Sequence, residues 1–212
     1  MALLSYVPRI LPSPSTVNSQ TTGRIVVALH GTGSSPFVFR RLSRALDTHG
    51  IGLIAPAYGR RATAGIDASS HEVAAFLDSL AAQQIDVVGH SYGALIGLRA
   101  VQLSSIAARC GTIVGLGASW RGTNGIARLF PPRLVRAVAG DAFVELEHFR
   151  EEPVAPSNTG IVSIVSDADR IVPAWSSRWG DVIEVSGVSH AALPRRVDEI
   201  MAALGVPLSY HA

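Results

Sequence analysis

The segment Ile85-Asp86-Val87-Val88-Gly89-His90-Ser91-Tyr92-Gly93 restricts this chain to very few folds. Residues 85–88 form a β-branched run that reads as a buried strand, and residues 94–101 read as a helix. The chain therefore passes from strand to helix within a few residues, with a serine at the apex. Such a hairpin forces strained backbone angles on the serine and lifts its hydroxyl clear of the sheet edge. Gly89 and Gly93 flank it at two residues on either side because a Cβ there would collide with the neighbouring strand or helix. A strand feeding directly into a helix is also the opening of a βαβ crossover, so the motif predicts a parallel sheet.

The rest of the chain follows the same alternation. Residues 25–29 make a continuous apolar run, as expected for a parallel strand covered on both faces. Further strands are predicted over 51–55, 112–116, 161–165 and 182–185, giving six with the elbow strand. Between them, 37–49 reads as a helix stopped by Gly50. Residues 59–69 read as a loop, and Ser70 is placed to cap a helix over 71–82. A last helix carries Leu193, Val197, Ile200, Met201 and Leu204 on one face. Strands separated by helices imply right-handed crossovers and an α/β fold: a mostly parallel, doubly wound sheet of about six strands with helices on both faces.

Length and composition agree with one such domain over residues 23–212, large enough to bury about 70% of its unfolded surface. Residues 1–22 are interrupted by prolines 8, 12 and 14 and read as an extended arm. They lack a basic start followed by a clean apolar stretch, so the expectation is a cytoplasmic protein; a chain whose leader had been removed would look the same. Residues 118–159 break the strand–helix rhythm and leave room for a small cap or lid. Leu129, Phe130, Leu134, Val135 and Val138 are candidates there for an acyl groove or for ordinary core. No apolar run approaches the roughly 18–20 residues of a membrane span. Eighteen basic residues, all arginine, oppose sixteen acidic ones, and a net charge of +2 is too small to imply nucleic acid. The lone Cys110 reads as a small packing residue near the end of a helix.

In a doubly wound sheet, sites form outside the carboxyl ends of the strands. Four loops at those ends carry the residue types that acyl transfer needs. Ser91 is the candidate nucleophile, and a serine hydroxyl needs an imidazole to take its proton. His190 lies between the last strand and the last helix and is the candidate base. His90 is expected to point elsewhere on the turn, and His30 to brace its loop. The orienting carboxylate should follow the strand at 161–165, where Asp167 and Asp169 both qualify; Asp169 is preferred, with Asp167 as the other reading. Backbone N–H groups of Thr32 and Tyr92 are the expected oxyanion donors, each typically worth about 3 kcal/mol of barrier height. The loop His30-Gly31-Thr32-Gly33 lacks the Gly-Lys-Ser/Thr ending of a phosphate loop.

These residues resemble the bacterial lipases and esterases of the α/β-hydrolase superfamily, most nearly the compact lid-less lipases. His30-Gly31-Thr32-Gly33 matches that family's oxyanion loop and Gly89 to Gly93 its elbow. Asp169-Arg170-Ile171-Val172 matches its acid segment, and Gly187-Val188-Ser189-His190 its base segment. The resemblance runs from about residue 24 to 205 and implies a serine ester hydrolase that needs no metal or organic cofactor. The implied substrate is a small-molecule ester or lipid. An acyltransferase or thioesterase using the same three residues is the alternative, and a catalytically silent scaffold is disfavoured because none of the three is missing. The sequence does not fix the oligomeric state.

Overall fold

The computed structural model describes residues 23–124 and 132–207. Its six strands are β1 (Arg24–Leu29), β2 (Gly52–Ile54), β3 (Gln84–His90), β4 (Cys110–Leu116), β5 (Gly160–Ser166) and β6 (Asp181–Val185). They form one sheet in the order β2-β1-β3-β4-β5-β6, and every neighbouring pair is parallel. The helices are α1 (Arg40–Asp47), α2 (Gly59–Ala62), α3 (Ile66–Asp78), α4 (Tyr92–Leu103), α5 (Pro132–Ala139), α6 (Asp141–His148), α7 (Ala174–Ser177) and α8 (Val197–Ala203).

Alternation along each strand divides the apolar side chains between two layers, because successive residues point to opposite faces. Ile25, Val27 and Leu29 of β1 join Ile85, Val87 and Ile113 in a core that takes in residues of α3 and α4. Val26 and Ala28 join Val88, Val114 and Leu116 on the other face, with residues of α1 and α8. Both faces are covered, which is why these strands read as unbroken apolar runs rather than alternating ones. Cys110 opens β4 and is buried; burial pushes its thiol up to about 12, which suits a packing residue.

Strand order reverses between β1 and β3. From β1 the chain goes outward to β2, then returns to place β3 on the other side of β1. The crevice above this reversal, at the carboxyl ends of β1 and β3, is where doubly wound sheets place ligands. The two loops that leave those ends are residues 30–33 and the elbow at Ser91.

Three local expectations are corrected. The loop expected over 59–69 contains the short α2 and the start of α3, which begins at Ile66 rather than after Ser70. Ser70 is not a cap: it lies buried inside α3, and its hydroxyl donates to the Ile66 carbonyl one turn back (2.7 Å). The Ile66 amide is instead satisfied by the Glu145 carboxylate of α6 at 2.6 Å, and only a glycine at position 65 leaves room for that carboxylate. A cap delivered from 79 residues away leaves no local trace in the sequence.

Within 118–159, α6 is tied into the fold. The Ala142 amide donates to the Thr63 carbonyl (3.1 Å), and Thr123 donates to Leu146 (2.9 Å). Val135 is buried while Leu134 is exposed. Leu129, Phe130 and the side chain of Val138 lie outside the described residues, as does the arm at 1–22. No helix among the described residues is long and apolar enough to cross a membrane.

Candidate active site

Ser91 sits between β3 and α4 with φ 55° and ψ −121°, a conformation that L-residues avoid. Its strain is held by a closed set of backbone hydrogen bonds. The Ser91 N–H donates to the Leu116 carbonyl (3.0 Å), and the Ser91 carbonyl accepts from Ser119 (3.4 Å) and Ala94 (3.2 Å). The glycines behave as the sequence predicts. A Cβ on Gly89 would overlap the Ala94 backbone, and one on Gly93 would overlap the carbonyl of Leu29. The sharp turn exists because helix and strands pack backbone to backbone at these two points.

His190 begins the 3-10 helix His190–Arg195 that follows β6. Its Nδ1 lies 2.7 Å from Oδ2 of Asp169, which stands on the loop after β5. A carboxylate accepts only, so Nδ1 carries a proton, and in the neutral ring Nε2 keeps its lone pair. The other oxygen of Asp169, Oδ1, accepts the amides of Ile171 (2.9 Å) and Val172 (3.0 Å). Burial opposes the charge on Asp169, but the His190 hydrogen bond and these two amides outweigh it and hold the carboxyl below its ordinary value. Only 4% of the Asp169 side chain and 12% of His190 is exposed.

The structure thus separates the two aspartates that the sequence leaves open. Asp169 faces His190, whereas Asp167 is exposed and accepts the Gly187 amide (2.7 Å). Asp167 braces the loop that carries His190 and does not touch its ring.

Loop 30–33 packs directly on the elbow. A Cβ on Gly31 would stand 3.1 Å from that of Ser91, so residue 31 brings the backbone of Thr32 into the neighbourhood of the serine. Gly33 adopts φ 71° and exchanges hydrogen bonds with Arg61, its N–H donating to the Arg61 carbonyl (2.9 Å) and its carbonyl accepting from the guanidinium (2.8 Å). The Tyr92 N–H is the first amide of α4, one of those that have no intrahelical acceptor. The Tyr92 side chain turns away: its hydroxyl donates to Ala64 (2.8 Å).

His30 braces its loop as expected. It is buried, its Nδ1–H donates to the Gly31 carbonyl (3.0 Å), and its ring lies 5.0 Å from that of Tyr58, whose hydroxyl donates to the His30 carbonyl (2.6 Å). Two participants escaped the sequence reading. Gly117, just past β4, adopts φ 53°, and a Cβ there would stand 2.7 Å from Asp169 Oδ2 and 3.0 Å from His190 Nδ1. The only sequence signal for it is a glycine at a strand's carboxyl end. The second is His90, whose ring packs 4.7 Å from that of His190 rather than pointing away from it.

The family model described as the alpha/beta hydrolase family matches residues 26–150, more than half of the chain. Among solved structures, the type II thioesterase BorB of the borrelidin biosynthetic cluster is 20% identical with a TM-score of 0.65; the match covers 87% of this chain and 92% of that one. A carboxylesterase from the thaumarchaeon Nitrososphaera is 13% identical with a TM-score of 0.63, covering 89% of this chain and 90% of that one. Aspergillus fumigatus lipase B is 15% identical with a TM-score of 0.60 over 82% of this chain, which spans only 50% of that lipase. Among curated proteins, none shows significant sequence similarity to this chain.

Proposed function

Because this chain belongs to the alpha/beta hydrolase family, we propose that it is a serine ester hydrolase working through an acyl-enzyme on Ser91. The observation that carries this reading is the 2.7 Å hydrogen bond from His190 Nδ1 to Asp169, a carboxylate itself anchored by two amides, on the same sheet edge as a strained serine. The bond fixes the tautomer in which Nε2 can accept the Ser91 proton.

In this scheme the Ser91 oxygen attacks the ester carbonyl as its proton passes to His190. Negative charge gathers on the carbonyl oxygen, opposite the amides of Thr32 and Tyr92. The tetrahedral adduct collapses by breaking the carbon–alkoxide bond, and His190 returns the proton to the departing alcohol. A water molecule then gives its proton to His190 and adds to the acyl group, releasing the acid and restoring Ser91. Asp169 stays ionised and stabilises the imidazolium formed in each half.

A thioester would be cleaved by the same steps, and one of the structural relatives named above is a thioesterase. The test is hydrolysis of p-nitrophenyl esters from C2 to C16 beside acyl thioesters, for wild type and Ser91→Ala, with fluorophosphonate labelling. Ester turnover and labelling that both vanish in Ser91→Ala support the ester hydrolase. Labelling with turnover of thioesters alone moves the assignment to the thioesterase. Neither labelling nor turnover overturns both.

A further inference from the structure

His90 is a buried titratable group that the scheme above does not use. It is the last residue of β3 and immediately precedes Ser91. Its Nε2 lies 3.1 Å from the main-chain carbonyl of His190, 100 residues further along the chain. A carbonyl only accepts, so Nε2 carries the proton and donates. Its ring also packs against the His190 imidazole, at 4.7 Å between centroids and 38° between planes. With Nε2 protonated, the neutral ring has Nδ1 as an acceptor, and this atom is buried against Gly31 with no hydrogen-bond partner among the described residues.

That orphan acceptor counts against a purely structural explanation. Leaving a buried polar atom unpaired costs about 1–3 kcal/mol, and an apolar side chain of similar shape would avoid it. What the histidine supplies and such a residue would not is the donor to His190. We propose that His90 is a positioning residue for His190: its Nε2–H pins the His190 main chain while its ring supports the imidazole, so that the His190 Nε2 is held in register for the serine. The neighbour before the nucleophile would then tie nucleophile to base directly, beside the tie that runs through the sheet.

The arrangement requires an uncharged His90, since a second cation beside His190 would oppose its taking a proton from serine. The titratable groups facing His90 are His190, Asp169 and His30. Burial, with His190 second, pushes His90 down to about 3, so it stays neutral around neutral pH.

This inference rests on the proposed role of His190, and its test separates the two. His90→Leu removes the donor; His90→Gln keeps an N–H at the same reach from the backbone but removes the ring. The measurements are kcat and KM for p-nitrophenyl acetate across pH, thermal midpoints, and the downfield Nδ1-proton resonance of His190. Misplacing a reacting group by about 1 Å can cost about a hundredfold in rate, so kcat should fall by roughly that much in His90→Leu with KM little changed. His90→Gln should recover most of the loss and keep the resonance that His90→Leu loses or broadens. Wild-type kcat and resonance in His90→Leu overturn the proposal, and so does equal loss in both variants at matched thermal midpoints. Should His90→Leu not fold, His90→Gln decides alone: retained kcat and resonance support the proposal, and their loss overturns it. Should the wild type neither turn over esters nor label at Ser91, the hydrolase reading fails, while the resonance still reports on the contact between the two histidines.

Discussion

Gly117→Ala tests the site through a residue that has no chemistry of its own. A methyl group there would stand 2.7 Å from Asp169 Oδ2, 2.7 Å from Leu193 Cδ1 and 3.0 Å from His190 Nδ1, where ordinary contacts begin at 3.4 Å. Relieving the first clash requires a displacement of about 0.7 Å within a packed region, which typically costs about 1–3 kcal/mol. The backbone adds its own term, because an alanine at φ +53° carries about 1–2 kcal/mol of left-handed strain. Gly50→Ala supplies the control. Its φ of +68° imposes the same strain, but nothing lies within 4 Å of its Cβ position. Urea unfolding should therefore show both variants destabilised, Gly117→Ala by about 1–3 kcal/mol more than Gly50→Ala. Ester turnover per folded molecule should fall by about a hundredfold in Gly117→Ala, because the push is applied to the Asp169–His190 pair. It should be unchanged in Gly50→Ala. Turnover in Gly117→Ala within about threefold of the control would refute the dependence of turnover on the geometry of the Asp169–His190 pair.

The remaining expectations concern charges and buried donors. Asp169→Asn should lower kcat by about 10³–10⁴-fold by favouring the wrong His190 tautomer, whereas Asp167→Ala should change it only a few-fold, as steady-state kinetics would show. Since the Asp169 carboxyl is held below its ordinary 3.8 in the folded protein, its charged-state interactions stabilise the fold above that value and are lost as pH falls through the lower folded one. The stability gap between wild type and Asp169→Asn should therefore narrow on acidification, read by urea midpoints along a pH series. Arg24→Ala strips the cationic partner, 2.6 Å away, from the fully buried Asp86 and leaves it the Thr112 amide; urea unfolding should report a loss of about 3 kcal/mol, with turnover per folded molecule intact because the pair lies at the opposite end of the sheet from Ser91. Ser163→Ala orphans the buried Trp120 Nε1–H, now 3.0 Å from the hydroxyl, and should cost about 1–3 kcal/mol by the same measurement.

How far the chain could be read in advance follows from how local each determinant is. β1, β3 and β4 were legible because a parallel strand covered on both faces reads as a continuous apolar run, as at Val26 to Leu29 and Val87 to Val88, and the more exposed β6 was legible from Val182, Ile183 and Val185. The sharp turn at Ser91 was legible because both of its glycines fall within five residues, although Gly89 answers to Ala94 nearby and Gly93 to the Leu29 carbonyl of another strand. The start of α3 was not, since Glu145 caps it from another element and no nearby residue records the fact. The choice between Asp167 and Asp169 lay between these cases. Both residues stand at the same strand end, and only the curl that aims the Ile171 and Val172 amides at Asp169 Oδ1 turns that carboxylate toward His190. His90 and Gly117 were illegible as participants because their partners come from other strands' ends.

These cross-strand partners make β4 more important than its residues suggest. It contributes no proposed nucleophile, base or acid, yet its carboxyl end touches all three parts of the site. The Leu116 carbonyl holds the strained Ser91 amide at 3.0 Å, and the next residue, Gly117, lies against both Asp169 and His190. Gly117 is itself fixed by donating to the Ile164 carbonyl of β5 (2.9 Å), the strand that launches the Asp169 loop. A shift of β4 along its axis would therefore move the serine's anchor and the support of the acid–base pair together, in the same direction. A shift of β3 or β6 would move one without the other. The spacing between the proposed nucleophile and base is thus referred to a strand lying between their own.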